Sequence, residues 1–547
     1  MTREWQEASI EPGYWERRES RYPVPMSRHL WELVTPAFLQ GTQRAFERYG
    51  CAVEYFDIAR VRGRRYFRAQ FVETPEKLAE RRETAEKVWR EKLWRRDCAE
   101  WPEVKDNLRR RLLTFARRDP QRMSLTDLQD NLAALRNLLA EGTIQHFIQQ
   151  PASMVPVGDW VRRTHDLTGA SISDIVAVLQ SCRPSLADCL HMVDEIAENI
   201  RSLPGTAEFV CDESIHPDIR LEQLRRMSPE IRKNLDAYLH EYGDRIITGF
   251  DIVDATLREL PGCTLSLITS RLDRAAARQP HAEVFQAAAA RLRGRLPVSE
   301  VPEFESGLAE ARMAYGLHDE DVRTTYLWPL GLMRRSVLAA AGRLFSRGAL
   351  KAQADVFQTT PAELDALLSG GPAPCAEEIS ARADQWRAWA DEEPPPTFGE
   401  KPLRPGPEVL GEACSRISSA IMFYLAEMEG QETYPIQPAS NLTLQGLAAS
   451  PGSYEGRARI VRDPSDLAKV AVGDVLVAQT TSPAYNVILP AVGALVTARG
   501  GILSHAAIIA REFSVPAVVG INEVTARIPD GARVLVDGDN GLVAIRG

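Results

Sequence analysis

The chain has 547 residues, 44% of them hydrophobic and 26% charged, with a formal net charge of -9. That length and composition predict a folded chain of more than one domain and exclude a disordered protein. The acidic balance excludes a general attraction for nucleic acid or an anionic membrane surface.

The segment Met1 to Trp15 lacks an apolar signal-peptide core, and no apolar run is long enough to span a bilayer, so a cytoplasmic location is expected. The cysteines Cys51, Cys98, Cys182, Cys189, Cys211, Cys263, Cys375 and Cys414 are scattered without a C-x-x-C pair. That spacing predicts neither a zinc module nor a disulfide framework and fits a reducing compartment.

From Met26 to Gly50, Leu30, Leu33, Val34, Phe38 and Phe46 recur at helical spacing. Glu54 to Phe71 partly alternates around a turn at Arg62-Gly63 and predicts a short β-hairpin. Thr74 to Leu368 is dominantly helical, with apolar residues at i, i+3 and i+4 in Leu128–Leu139, Ile172–Leu179, Leu186–Ile200 and Val337–Ala349. The proline-rich stretch from Asp391 to Pro407 cannot continue a helix and reads as a link or an ordered surface crossing. A helix over Glu408–Met428 follows, then a polar stretch from Gly430 to Ser440.

Beyond it the pattern changes to short strands, at Gly456–Val461, Asp474–Ala478, Ala494–Val496, Ala517–Val519 and Arg533–Val536, interleaved with helices. The fold expected is therefore multidomain. A large, mainly α-helical domain with a short N-terminal hairpin covers 1–430, a hinge covers 431–440, and a small α/β domain covers 441–547.

The segment Thr497-Ala498-Arg499-Gly500-Gly501-Ile502-Leu503-Ser504-His505 carries the most specific chemistry. A buried strand is broken by two glycines, and Ser504 is a good N-cap that places His505 in the first turn of a helix, exposed. Unpaired N–H groups and the positive dipole end keep an imidazole there neutral, and they accept a phosphate attached to it. Gly500 and Gly501 allow close backbone approach to such an anion. Arg499 is the better candidate for neutralising phosphate oxygens, because Arg511 falls six positions after His505 and reads as structural. Thr497 and Ser504 are candidate hydroxyl donors, although capping can consume Ser504.

This segment closely resembles the phosphohistidine signature of the phosphoenolpyruvate-utilising enzymes, the family of phosphoenolpyruvate synthase and rifampin phosphotransferase. The likeness continues through Glu512–Gly520 and upstream through Gly446–Gly452 and Thr480–Asn486. It implies that His505 is phosphorylated and that its α/β domain swivels between two distant sites. Weaker likenesses to the substrate-binding region of that family lie at Tyr242–Arg245, Phe250-Asp251, Ala311-Arg312, the acidic cluster near Glu320, and Asp355–Leu364. The family tends to carry a histidine where Asp244 stands and an arginine–glutamate pair near His318–Glu320.

Within the helical region, His318-Asp319-Glu320-Asp321 is the candidate for acid–base work. A helix would put His318 and Asp321 on one face, with Arg312 and Arg323 nearby in sequence as substrate- or phosphate-binding candidates. A solvated acidic helix start explains the cluster as well. Asp244, Arg245 and Asp251 are expected to form a buried ion pair that fixes helix packing. No metal site is expected, since no second histidine lies at ligand spacing.

The ATP-grasp domain or phosphoenolpyruvate barrel usual in the family is not recognisable, nor is a phosphate-binding Gly-Lys loop. No cofactor is therefore expected to bind through an evident motif. ATP and Mg2+ would enter through a separate ATP-grasp nucleotide-binding protein. Two functions remain. One is a phosphotransferase subunit carrying a phosphoryl group on His505 to a small organic acceptor bound in the helical domain. The other is a phosphate-independent dehydratase, cyclase or condensing enzyme using His505 as acid–base residue.

Overall fold

A computed structural model describes residues 12–17, 24–179, 184–272, 282–392, 394–401, 407–429, 442–462, 464–480, 485 and 488–546. The chain is a large helical region followed by a small α/β region, the architecture expected. It forms two compact units: Met1–Val155, Phe250–Asp254 and Asp321–Ile421 make the first, and Pro156–Gly249, Ala255–Glu320 and Met422–Gly547 the second. The helical stretch read as one domain over 1–430 is thus shared between both units, and the expected hinge at 431–440 lies outside the described residues.

The first unit opens with the expected helix, Arg28–Tyr49, capped by the Ser27 hydroxyl, which accepts from the Leu30 N–H at 3.3 Å. Gly50, in the left-handed conformation at φ 65°, ends it. The predicted hairpin follows as β2 (Val53–Val61) and β3 (Arg64–Phe71), paired antiparallel, with Trp15–Arg17 (β1) and Thr397–Phe398 (β4) completing the sheet β2-β3-β1-β4. The Phe38 ring packs 4.6 Å from that of Phe147 and 5.5 Å from that of Phe67, so helix and hairpin share an aromatic core.

Within the described part of the proline-rich stretch, residues 394–398 run against the first unit's sheet. Pro396 accepts from the Arg17 N–H at 2.9 Å and Pro395 from the Tyr66 hydroxyl at 2.5 Å. Proline keeps its carbonyl acceptor although it has no N–H to give, which suits it to a sheet edge.

Among the described residues, the α/β part of the second unit holds eight strands: β5 (Thr443–Gln445), β6 (Leu447–Ser450), β7 (Ser453–Val461), β8 (Val475–Ala478), β9 (Ala494–Thr497), β10 (Ala517–Val519), β11 (Arg533–Asp537) and β12 (Leu542–Arg546). Their order is β5-β12-β11-β7-β8-β9-β10-β6, parallel from β7 through β10 and antiparallel elsewhere. The expected strands are all present; β5, β6 and β12 are additions.

Alternation gives the sheet two apolar faces. Val475, Val477, Ala494, Val496 and Val518 line one with Val534 and Val536. Leu476, Ala478, Leu495 and Val519 line the other and join Ile509 with Ile196, Leu235, Tyr238 and Ile268 from the helices Pro184–Ser202, Pro229–Tyr242 and Pro261–Leu272 in one continuous core. The helices of residues 184–272 and the C-terminal sheet are therefore packed as one body within the second unit.

Candidate active site

Strand β9 is buried along its whole length, and its direction continues into the glycine loop through bonds from Ala498 N–H to Ala478 carbonyl (3.0 Å) and Arg499 N–H to Gln479 carbonyl (2.9 Å). Gly500 sits at φ 106°, where a Cβ would come within 2.9 Å of the Ser504 Oγ. Only glycine turns the chain here without displacing that hydroxyl. Ser504 caps the helix His505–Glu512, its Oγ accepting from the Ala507 N–H at 3.4 Å.

His505 is the first residue of that helix, as the Ser504 signal predicts. It is half-buried rather than exposed, and both ring nitrogens are screened from solvent. Residues 500–504 and 506–511 are all buried, so the imidazole stands in an enclosed strand–helix corner. A neutral imidazole at a helix start can act as nucleophile or as proton acceptor, and an anion formed on it gains from the N-terminal dipole.

The loop's own polar groups are more fully committed than the sequence suggests. Thr497 is completely buried and donates its hydroxyl to the Arg499 carbonyl at 2.8 Å, so that proton is not aimed at a phosphate. Gly501 donates its N–H to the Met428 carbonyl at 3.3 Å, and Leu503 donates to the Glu427 carbonyl at 3.2 Å. The last turn of the helix Glu412–Glu429 thereby supports the glycine loop. Glu427 itself is buried, and loss of hydration pushes its carboxyl above the ordinary range, with the charge of His165 pulling the opposite way. Arg499 is half-buried beside the loop.

Arg511 is structural in its contacts, as expected from its position. Its guanidinium donates to the Ala449 carbonyl (2.7 Å), the Ile502 carbonyl (2.6 Å) and the Tyr315 hydroxyl (3.2 Å). Thr497, Arg499, Gly500, Gly501, Ser504 and His505 therefore meet in one loop.

The helical candidates behave differently. Leu317–Val322 is helical, but the side chains of His318 and Asp319 lie outside the described residues. Glu320 is half-buried and Arg312 is exposed, both in the second unit, whereas Asp321 and Arg323 belong to the first.

Asp321 is turned inward: its carboxylate lies 3.0 Å from His146 Nδ1, and both side chains are 1% exposed. The other ring nitrogen of His146 is 2.9 Å from Gln150 Nε2. Arg323 opens a five-residue π-helical segment, Arg323–Leu327, and is buried there. Such insertions recur at functional sites. His146 carried no motif in the sequence because its partner is 175 residues away.

The expected grouping of Asp244, Arg245 and Asp251 is replaced by other pairings. Asp244 takes Arg258, at 3.1 Å, and Arg245 reaches Glu241 while its guanidinium lies 4.2 Å from the Tyr242 ring centroid. Asp251, in the first unit, accepts from the Ser27 N–H (2.8 Å) and hydroxyl (2.6 Å). Backbone turns place these side chains next to distant partners, so proximity in sequence misled. Among the described residues no group of three His, Cys, Asp or Glu side chains is placed to hold a metal, and no helix is long and apolar enough to cross a membrane.

Comparison with known proteins places two segments. Residues 470–541 match the mobile domain of PEP-utilising enzymes, and residues 146–319 match the rifampicin phosphotransferase fourth domain. A rifampicin phosphotransferase from Streptomyces sviceus is 29% identical over 369 residues, covering 64% of this chain and 38% of the relative. That from Bacillus cereus is 24% identical over 363 residues, with 64% and 38% covered. A probable phosphoenolpyruvate synthase from Pyrococcus abyssi is 42% identical over 119 residues, 22% of this chain and 14% of that one. The chain thus spans 38% of the length of the rifampicin phosphotransferases it matches.

Proposed function

We propose, for a chain that carries the PEP-utilising mobile domain and the rifampicin phosphotransferase fourth domain, that His505 carries a phosphoryl group to a small organic acceptor. The observation that supports this reading is the position of His505 as first residue of a capped helix, directly after a glycine turn at φ 106°. In the loading step the neutral imidazole attacks phosphorus, a P–O bond of the donor breaks, and the donor's leaving group departs with the electron pair. In the second step the acceptor hydroxyl attacks the same phosphorus and the P–N bond breaks, returning neutral His505 as the hydroxyl proton is released.

In this reading the donor is ATP with Mg2+, held by a separate ATP-grasp protein, and the acceptor binds in the helical region. Arg499 lies beside the loop and can fork onto phosphoryl oxygens. The helix start offers first-turn N–H groups to the same anion.

The test is intact-mass measurement of the full chain with ATP and Mg2+, with and without candidate ATP-grasp proteins. Expected is an acid-labile, base-stable gain of one phosphoryl group that requires the partner and disappears in His505→Ala and His505→Asn. Turnover of an acceptor by the chain alone in nucleotide-free buffer would reject phosphoryl transfer in favour of acid–base chemistry at His505.

A further inference from the structure

Arg511 combines three properties that seldom occur together. Its side chain is 2% exposed. Its three acceptors, the Ala449 and Ile502 carbonyls and the Tyr315 hydroxyl, are all uncharged, and its Nε–H is buried without a partner. None of these contacts among the described residues is to a carboxylate. A guanidinium stays protonated in any protein setting, so among the described residues Arg511 is a buried cation without a counter-anion, an arrangement that costs stability.

Its place explains what the charge is for. Helical side chains lean toward the helix N-terminus, so Arg511 in the last turn of His505–Glu512 reaches back to Ile502, ahead of His505 in the chain. Six residues of helix rise span about 9 Å, and the backward lean brings the guanidinium closer to the helix start than that.

We propose that Arg511 is the standing counter-charge of the phosphorylated state: among the described residues no anion pairs with it, and a phosphoryl group on His505 supplies one through the buried helix start without touching the arginine. Arg511 is thus a positioning residue, holding the Ile502 carbonyl, and a fixed positive potential. Tyr315, from the segment matched by the rifampicin phosphotransferase fourth domain, orients the fork. The proposal rests on the phosphoryl-carrier reading and adds the electrostatic reason why the carrier state is stable.

Two measurements on the full chain test it. The first is NMR titration of the His505 imidazole in the unphosphorylated protein, compared with Arg511→Met and Arg511→Lys. A buried positive charge within about 10 Å holds an imidazole about one pKa unit lower at an effective dielectric near 20. Arg511→Met is therefore expected to raise the His505 value by about that amount, and Arg511→Lys by less than half of it. Equal values in wild type and Arg511→Met overturn the proposal, and so does a lysine variant that shifts as far as methionine, since that assigns the effect to the fork rather than the charge.

The second uses phosphoramidate as donor: its P–N bond breaks, ammonia leaves, and the phosphoryl group joins the His505 ring nitrogen. The wild-type chain is expected to melt at a higher temperature when phosphorylated. In Arg511→Met that gain is lost, and the phosphohistidine hydrolyses about tenfold faster. The wild-type comparison needs no variant to fold: a phosphorylated form melting at or below the free form overturns the proposal. No adduct at His505 in wild type overturns the carrier reading itself. An adduct whose stability and melting shift are unchanged in Arg511→Met overturns only the counter-charge role.

Discussion

Gly501 gives its N–H to the carbonyl of Met428, at 3.3 Å, and so ties the loop before His505 to the end of the helix Glu412–Glu429. Leu503 does the same with Glu427. Two amides that a glycine-rich loop could turn toward a phosphate are thus engaged by a helix C-terminus, the negative end of its dipole. The anion-favouring features are concentrated instead at the helix start of His505 and in Arg511.

Gly500 is the residue on which this loop depends. Alanine there must adopt φ 106° and place its Cβ 2.9 Å from Ser504 Oγ and 3.0 Å from Ser504 Cβ. Gly500→Ala is expected to destabilise the second unit by about 1–3 kcal/mol and to abolish phosphorylation of His505 by displacing the N-cap. Thermal melting and phosphoramidate labelling check it; wild-type labelling in a fully folded variant would show that the loop tolerates a different path.

Glu427 makes the loop's stability depend on pH. Burial raises its carboxyl pKa above the ordinary value, with His165 opposing. Between the unfolded and the raised folded value the native chain binds more protons, so its stability falls as pH rises through that window and stays lower above it. Glu427→Gln removes the ionisation, and the variant is expected to melt about 1–3 °C above wild type at pH 7. The two curves should converge in mild acid. A variant that melts below wild type at neutral pH would instead make the carboxylate a stabilising partner of His165.

The first unit carries the opposite acid response. His29 is fully buried, and burial, followed by the charge of Arg136, drives its pKa down to about 4, while the bond between Nδ1 and the Thr359 carbonyl (3.2 Å) raises it. Unfolded chain takes up a proton near pH 6.5 that the folded unit refuses, so stability is lost as pH falls from about 6.5 to 4, by up to about 3 kcal/mol. His29→Gln should flatten this part of the pH–stability curve, measured by urea unfolding. An unchanged acid slope would place the titrating group elsewhere.

Much of this architecture was legible because local chemistry and global fold agree. Gly50, the Arg62-Gly63 turn and Ser504 each mark an element boundary that the structure keeps. The strands β5, β6 and β12 went unread because they lie at or next to the sheet edges and are only partly buried, so they lack the continuous apolar runs that mark β8, β9 and β10. The site was legible as far as its continuous segment extends. His146 with Asp321, Tyr315 with Arg511, and Glu427 with Leu503 are pairings between residues 76 to 196 positions apart. No spacing rule finds those. Asp244 shows the converse, since the nearby Arg245 drew attention away from Arg258, the partner it takes across a turn.

The continuous apolar core that joins Ile196, Leu235 and Ile268 to Leu476, Leu495 and Ile509 also decides where the chain can be cut. A fragment starting at Leu442 keeps His505 and its helix, yet it strips that sheet face of the helices that carry Ile196, Leu235 and Ile268. Uncovered apolar surface on that scale promotes self-association. Expressed alone, the fragment is expected to aggregate or bind hydrophobic dyes, whereas a piece that keeps residues 156–320 together with 422–547 carries its own covering. The smallest fragment that keeps this core covered is set by packing, not by the boundary of the histidine signature.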